Sequence, residues 1–385
     1  MATYKTPGVY VEELPKFPHA VAQEPTCTVV FIGYTNKTAL ADGTALVLSP
    51  VRIRSLPDFV SFFGTGPGGR YLTDAVGLFY SNGGNDAYII SVGSTTEPVS
   101  YTAMLDGLNR SREVSVQLIA IPDACLLPTP EFYQLQQQVL KTCAALQDRF
   151  AILDTLQPSG NVENDIDQYR AGMGGGDRKW GAVYYPWLIL SDGKQVPPSG
   201  AIAGIYTFVD NSSGVWKAPA NVSLNGVSSL SATVSHLHQE SMNVSMDGKS
   251  INAIRVFPGK GTLVWGARTL DGNSMDWKYI NIRRTITMIE NSIRNSTSWV
   301  VFEPNDANTW VVVRGMIENF LVLLWREGCL AGVKPGDAFA VHVGLGITMT
   351  ALDILEGRMN ITVLLAISRP AEFIEISLTH KMQQR

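Results

Sequence analysis

The feature that most constrains how this chain can fold is a strand at each end, set apart from the body by proline. In residues 371–380, Ile374, Ile376 and Leu378 fall on one side of an extended chain, and Glu375, Ser377 and Thr379 fall on the other. This is the period-two pattern of a half-buried strand. Arg369-Pro370 stands before it. Proline fixes its own φ, lacks an N–H and disfavours helix in the residue before it, so the pair separates this strand from the apolar run 360–367. At the other end, Val9-Tyr10-Val11-Glu12 is a second short alternating strand, followed by Leu14-Pro15-Lys16-Phe17-Pro18. Pro15 and Pro18 make an extended tether that is neither helix nor central strand. End strands on such leashes either fold back on their own sheet or add to the edge of another chain's sheet.

Between the ends the pattern predicts an α+β (mixed α/β) chain. Strands are expected at 27–34 and 86–92, with short helices at 55–63 and 71–81 between them. Ser55 is placed to cap the first helix, with Pro57 and Asp58 in its opening turn. Strand 114–121, helix 131–147 and strand 150–154 read as a βαβ unit, continued by strand 180–190 and a helix near 201–209. In the last third, helix 277–295 puts Ile282, Ile286, Ile289 and Ile293 on its apolar face and Arg283, Thr287, Glu290 and Arg294 on or near the other. A strand at 299–302 leads to helix 308–327, stopped by Gly328 and striped by Trp310, Val313, Ile317, Phe320, Leu321 and Leu324. Strands 338–343 and 360–367 follow. The expected division is an N-terminal arm and linker (1–24), an N-terminal part of the core (25–100), an inserted outer α/β domain (101–235), a C-terminal domain (236–368) and a C-terminal arm (369–385). That C-terminal domain, with two helices and few strands, needs outside strands to complete its sheet.

Motifs for chemistry do not hold up against this pattern. Residues 64–69 match G-x-G-x-x-G, but they follow a helix and carry Pro67 where a phosphate-facing N–H is wanted. Gly248-Lys249-Ser250 resembles the end of a phosphate-binding loop, yet Asn243 occupies the place of its first glycine. His236 and His238 have no third ligand at metal-site spacing, and Cys27, Cys125, Cys143 and Cys329 form no C-x-x-C pair. Asp353 and Glu356 lie beside Arg358, which suits a solvated or inter-subunit face better than a general acid/base pair. The formal net charge of -4 gives no general drive toward nucleic acid or anionic membrane. No window of about 18 apolar residues is expected to span a membrane. Residues 1–20 read as polar and proline-rich, without the apolar stretch of a signal peptide.

Six stretches carry a family resemblance: Pro7-Gly8-Val9-Tyr10-Val11-Glu12-Glu13, Val215-Trp216-Lys217-Ala218-Pro219-Ala220-Asn221, 261–270, 279–284, 299–306 and Arg369-Pro370-Ala371-Glu372-Phe373. With these motifs in this order the chain resembles the tail sheath proteins of contractile phage tails and phage-tail-like injection particles. The resemblance implies a structural polymer: hexameric rings stacked around an inner tube, contracting to drive the tube through a cell envelope. It implies that arm strands at Val9, Tyr10, Val11 and Glu12, and at Phe373, Ile374, Ile376 and Leu378, complete a neighbour's two-stranded sheet. Pro15, Pro18, Arg369 and Pro370 would then be hinges, and Asp353, Glu356 and Arg358 candidates for the tube-facing surface. The implied partners are further copies of the chain, the tube protein, and baseplate and cap or terminator proteins, with no cofactor, nucleic acid or direct membrane insertion. Assembly in the bacterial cytoplasm and a place in a virion or released particle follow from the same resemblance. Two rivals stand beside it: an α/β enzyme with a ligand site in 101–235, at the ends of strands 114–121 and 150–154, and a static tube that never changes pitch.

Overall fold

Strands that are mostly apolar and buried build the centre of the molecule, as expected where helices cover both sheet faces. The computed structural model describes residues 20–65 and 70–372. In chain order the first elements are β1 (Val29–Thr35), β2 (Val51–Ile53), α1 (Leu56–Phe63), α2 (Leu72–Ser81) and β3 (Ala87–Ser94). Next come α3 (Tyr101–Arg110), β4 (Leu118–Ala120), α4 (Thr129–Leu146), β5 (Phe150–Asp154), α5 (Val162–Gly172) and β6 (Gly181–Tyr185). Then follow β7 (Leu188–Ile189), β8 (Gln195–Val196), α6 (Ser199–Ser213), β9 (Val222–Ser223) and β10 (Ser229–Leu230). The unit closes with α7 (His236–Asn243), β11 (Asn252–Phe257) and β12 (Gly261–Val264).

Nine of these strands form one sheet in the order β2-β3-β1-β4-β5-β6-β11-β12-β9. From β3 through β11 the pairing is parallel, with Val29 opposite both Ala87 and Leu118, and Leu118 opposite Phe150. On one face Val30, Ile32, Ile119 and Val183 pack with Met104 of α3, Leu135 and Val139 of α4 and Tyr169 of α5. On the other, Phe31, Ile89, Ile152 and Tyr184 pack with Phe59 of α1, Phe79 of α2 and Ile205 and Tyr206 of α6.

This sheet crosses the expected start of the insertion at residue 101. A boundary at residue 100 runs through its middle, because β1 pairs with β3 on one side and with β4, from the 101–235 segment, on the other. The strand expected over 180–190 also divides: β6 ends at Tyr185, and β7 joins a separate three-stranded sheet with β8 and β10. Proline at 186 supplies no ladder N–H at the break.

The C-terminal elements are α8 (Ile280–Ser296), α9 (Ala307–Arg326), α10 (Pro335–Ala338), β13 (Phe339–Val343), α11 (Ala351–Leu355) and β14 (Ile361–Leu365). Val313, Ile317, Phe320, Leu321 and Leu324 of α9 are buried against Met288 and Ile289 of α8 and Val341 of β13. By length and composition α9 could span a membrane, against the expectation that no such window exists. Its apolar stripe is spent on this core instead. The strand expected at 299–302 is a 3-10 turn over Ser298–Val300, and Phe302 takes a left-handed φ of 76°. Among the described residues β13 and β14 form a sheet of two strands, a size that is marginal alone.

Candidate functional site

α8 is the element on which both ends of the described chain converge. The sequence pattern puts Arg283 and Thr287 toward solvent, but the first turns of α8 are buried all round, including Arg283, Arg284, Thr285 and Thr287. Charge in that position needs partners. Arg283 lies 4.4 Å from the rings of both Trp180 and Trp277 and pairs with Glu290 at 2.9 Å. Arg284 faces Asp210 of α6 with two bonds, at 3.0 and 2.6 Å, and the two side chains are only 3% and 2% exposed.

The same pair holds the N-terminal linker. Arg284 donates to the Thr26 carbonyl at 2.9 Å, and the Thr26 hydroxyl donates to Asp210 at 2.6 Å. From there the linker runs along the last turns of α8: Glu24 N donates to Ser292 Oγ at 2.9 Å and Ala22 N to Ser296 Oγ at 3.0 Å. These bonds satisfy an extended backbone that has no sheet to join.

The C-terminal root is fixed beside the other end of α8. Glu372 receives Arg268 Nε at 2.9 Å and NH2 at 2.6 Å, Asn243 Nδ2 at 2.8 Å and the Tyr279 hydroxyl at 3.0 Å. Burial opposes the charge on Glu372, but the bonds and charge of Arg268, with those of Asn243 and Tyr279, outweigh it and hold the carboxyl below its usual range. Arg369, expected as a hinge, donates to the Met275 carbonyl at 3.2 Å. Arg369 and Pro370 thus stand between this contact and the Glu372 bonds.

The crevice that an enzyme of this layout would use lies at the C-terminal ends of the parallel strands. Here the chain's own carboxylates fill it. Asp123, after β4, accepts from Tyr34 N at 2.8 Å and Tyr71 N at 2.6 Å, and a Cβ at residue 33 would lie 2.6 Å from its Oδ2, which accounts for Gly33. At the end of β5, Asp154 accepts from Ser199 N at 2.9 Å. The neighbouring cavity, between Ile119, Gln136 and Asp154, holds about 10 Å³, roughly one water.

Burial pushes the Asp154 carboxyl up to about 7, with Ser199 pulling the other way. An acid with a raised folded-state pKa binds its proton more tightly when folded, so its stabilisation is full below the ordinary carboxylate range and is lost as pH climbs through about 7. Urea unfolding of the wild-type chain should therefore show roughly 2–3 kcal/mol more loss between pH 5 and 8 than the Asp154→Asn variant shows. Equal slopes for the two proteins would contradict this.

The other residues singled out in the sequence are placed as follows. Val9, Tyr10, Val11, Glu12, Pro15, Pro18, Phe373, Ile374, Ile376 and Leu378 lie outside the described residues. Asp353, Glu356 and Arg358 are brought together on and after α11: Arg358 pairs with Asp353 at 3.2 Å and with Glu356, and Asp353 completes a capping box with Thr350. His238 serves the N-terminus of α7 in a capping box with Ser235, while His236 pairs with Glu240 at 3.2 Å. Lys249 binds the Arg170 carbonyl, and Ser250 Oγ donates to the Asn243 carbonyl at 2.6 Å. The anchors Asp210, Arg268 and Arg284 were not singled out by sequence. The usable signal was Arg283-Arg284 on a helix whose Ile282, Ile286 and Ile289 stripe marks it as packed, two adjacent charges that a buried helix must pair.

Comparison with known proteins gives a consistent picture. The family profile described as "Phage tail sheath C-terminal domain" matches residues 273–379. The tail sheath protein of Vibrio phage KVP40 is 26% identical over 129 residues, covering 33% of this chain and 19% of that protein. The sheath of the extracellular contractile injection system PVC, in its contracted state, is 32% identical with a TM-score of 0.79, covering 99% of both chains. The helical sheath of the anti-feeding prophage, also contracted, is 34% identical with a TM-score of 0.77, covering 98% of this chain and 100% of that one.

Proposed function

The chain belongs to the sheath family of contractile injection systems and phage tails, and we propose that it is the repeating subunit of a contractile cylinder. The observation that carries this reading is that both ends of the described chain are held by side-chain bonds at or beside α8: Thr26, Glu24 and Ala22 by Arg284, Ser292 and Ser296 of the helix, and Glu372 by Arg268, Asn243 and by Tyr279 at the helix N-cap. Arms rooted on one rigid helix transmit a subunit's rotation to its neighbours. In this reading Val9, Tyr10, Val11 and Glu12 reach one neighbour, and Phe373, Ile374, Ile376 and Leu378 another, as added strands. The two-stranded β13–β14 sheet is the natural acceptor, since it gains the third strand that such a sheet needs.

Hexameric rings stack around an inner tube, and contraction releases an extended, metastable lattice to a more compact one without nucleotide. Pro15, Pro18, Arg369 and Pro370 are the hinges that let subunits turn while links persist. The C-terminal unit faces the tube, with Asp353, Glu356 and Arg358 as candidate contacts, and the unit built on the large sheet lies outside. Baseplate and cap proteins end the array, which assembles in the bacterial cytoplasm and acts in a virion or released particle. The protein works as a structural element, not as an enzyme, a reading supported by the occupied crevice at Asp123 and Asp154.

Electron microscopy of the purified chain at high concentration, with tube and baseplate proteins supplied, should show cylinders or rings. Protein that stays monomeric under those conditions would overturn the proposal.

A further inference from the structure

A groove of about 1260 Å³ opens beside the C-terminal root, between α7, the end of β12 and the start of α8, and Glu372 is part of its wall. Its lining is largely apolar: Trp216 and Trp265 contribute rings, and Leu237 of α7 and Val244 at its C-cap are 69% and 56% exposed. Uncovered side chains of this kind are costly next to one another in water. The wall also holds two polar atoms without partners. Asn281 is 1% exposed, and its Nδ2 serves the Trp216 and Ser368 carbonyls, but its Oδ1 accepts no hydrogen bond among the described residues. Arg255 Nε is likewise buried and unpaired.

The chain itself enters this groove. Residues 373–385 continue from Glu372, and their Phe373, Ile374, Ile376 and Leu378 supply apolar side chains. Thirteen residues reach about 40 Å when extended, enough to run across α7. We propose that in the unassembled subunit this groove holds the chain's own residues 373–385, and that the segment leaves it to join a neighbour on assembly. Only the second half rests on the sheath reading. The consequence is a brake: a parked segment lowers the fraction of subunits competent to polymerise in free solution.

The test uses the full chain with Leu237→Cys and Ile376→Cys, held at about 1 µM, mixed from ordinary and ¹⁵N-labelled protein and treated with a short bismaleimide. Mass spectrometry then reads whether each 237–376 link joins like or unlike isotopes. A short tether gives an effective concentration near millimolar, so like-isotope links should exceed mixed ones by about a hundredfold or more. The pair Val244→Cys and Leu378→Cys repeats the measurement should the first variant fold poorly. Mixed links in proportion to the label would assign the groove to a neighbour's segment, and absence of links from both pairs would leave it empty; either overturns the proposal. Cylinder formation by the unmodified chain plays no part in this readout, so failure of the sheath reading is seen separately.

Discussion

Replacing Arg284 by alanine is expected to lower the unfolding free energy by about 3–5 kcal/mol, the largest single-residue effect in the C-terminal half. Arg284 and Asp210 are 3% and 2% exposed, so removing the guanidinium leaves a carboxylate in the core with only the Thr26 hydroxyl to satisfy it. Cost comes from the stranded charge more than from the lost attraction. The double variant Arg284→Met with Asp210→Leu removes both charges and should recover most of the loss. Lysine at 284 should do worse than that pair, because an ammonium cannot make the two-pronged contact with Asp210 while also reaching the Thr26 carbonyl. Urea unfolding of the four proteins measures this directly. An Arg284→Ala loss below about 1 kcal/mol would show that the pair is solvated and that the linker is anchored elsewhere.

The second large effect concerns assembly rather than folding. Glu372→Ala removes the acceptor for Arg268, Asn243 and the Tyr279 hydroxyl, yet Arg268 keeps its bonds to the Asn243 and Gly272 carbonyls. Folding should weaken by roughly 1.5–3 kcal/mol, the scale of a charged hydrogen-bonded group, and the subunit should remain folded. The arm, however, loses its fixed point of departure at every lattice position, and linked contacts fail together, so cylinders should be absent or short. Acid should act in the same direction. Because the folded-state pKa of Glu372 is depressed, its stabilisation is present above the ordinary glutamate range and disappears as pH falls through the lower folded value. Glu372→Gln keeps the shape and removes the charge, so it should reproduce the acid phenotype at neutral pH. Normal cylinders from Glu372→Ala, seen by electron microscopy, would contradict the role given to the clamp.

Elements with strong local signals were legible in the sequence. β5 is a run of apolar residues ended by Asp154, α9 carries an unbroken stripe to Gly328, and Ser55 accepts from Asp58 N as a cap should. Helices α3 and α5 were not anticipated: Val162–Gly172 contains Glu163, Asn164, Asp165 and Asp167, and its buried side is a few residues such as Ile166 and Tyr169. A short apolar run such as Trp299-Val300-Val301-Phe302 fits strand or helix equally; in the structure it makes a 3-10 turn that leaves Val301 and Phe302 exposed. Parallel pairing of β6 with β11 joins residues about seventy positions apart, so no local pattern reports it. The anchors followed the same logic. Arg284 meets Asp210 across 74 positions and Arg268 meets Glu372 across 104, and no local periodicity reports such pairs. The resemblance pointed to the arms, while the structure shows which side chains hold residues 22–26 and Glu372.

The central claim is that arms rooted on and beside α8 make the links of the cylinder, and arm deletion tests it most directly. Two variants, one lacking residues 1–13 and one ending at Arg369, keep α8, α9 and their buried stripes. Circular dichroism should report folded protein for both, with at most a few kcal/mol lost where Glu372 is removed. Electron microscopy of each beside the full chain, under conditions where the full chain forms cylinders, should show cylinders for the full chain and soluble, unpolymerised subunits for both deletions. Normal cylinders from either deletion would contradict the claim, and unfolding of either would place that segment in the subunit's own core.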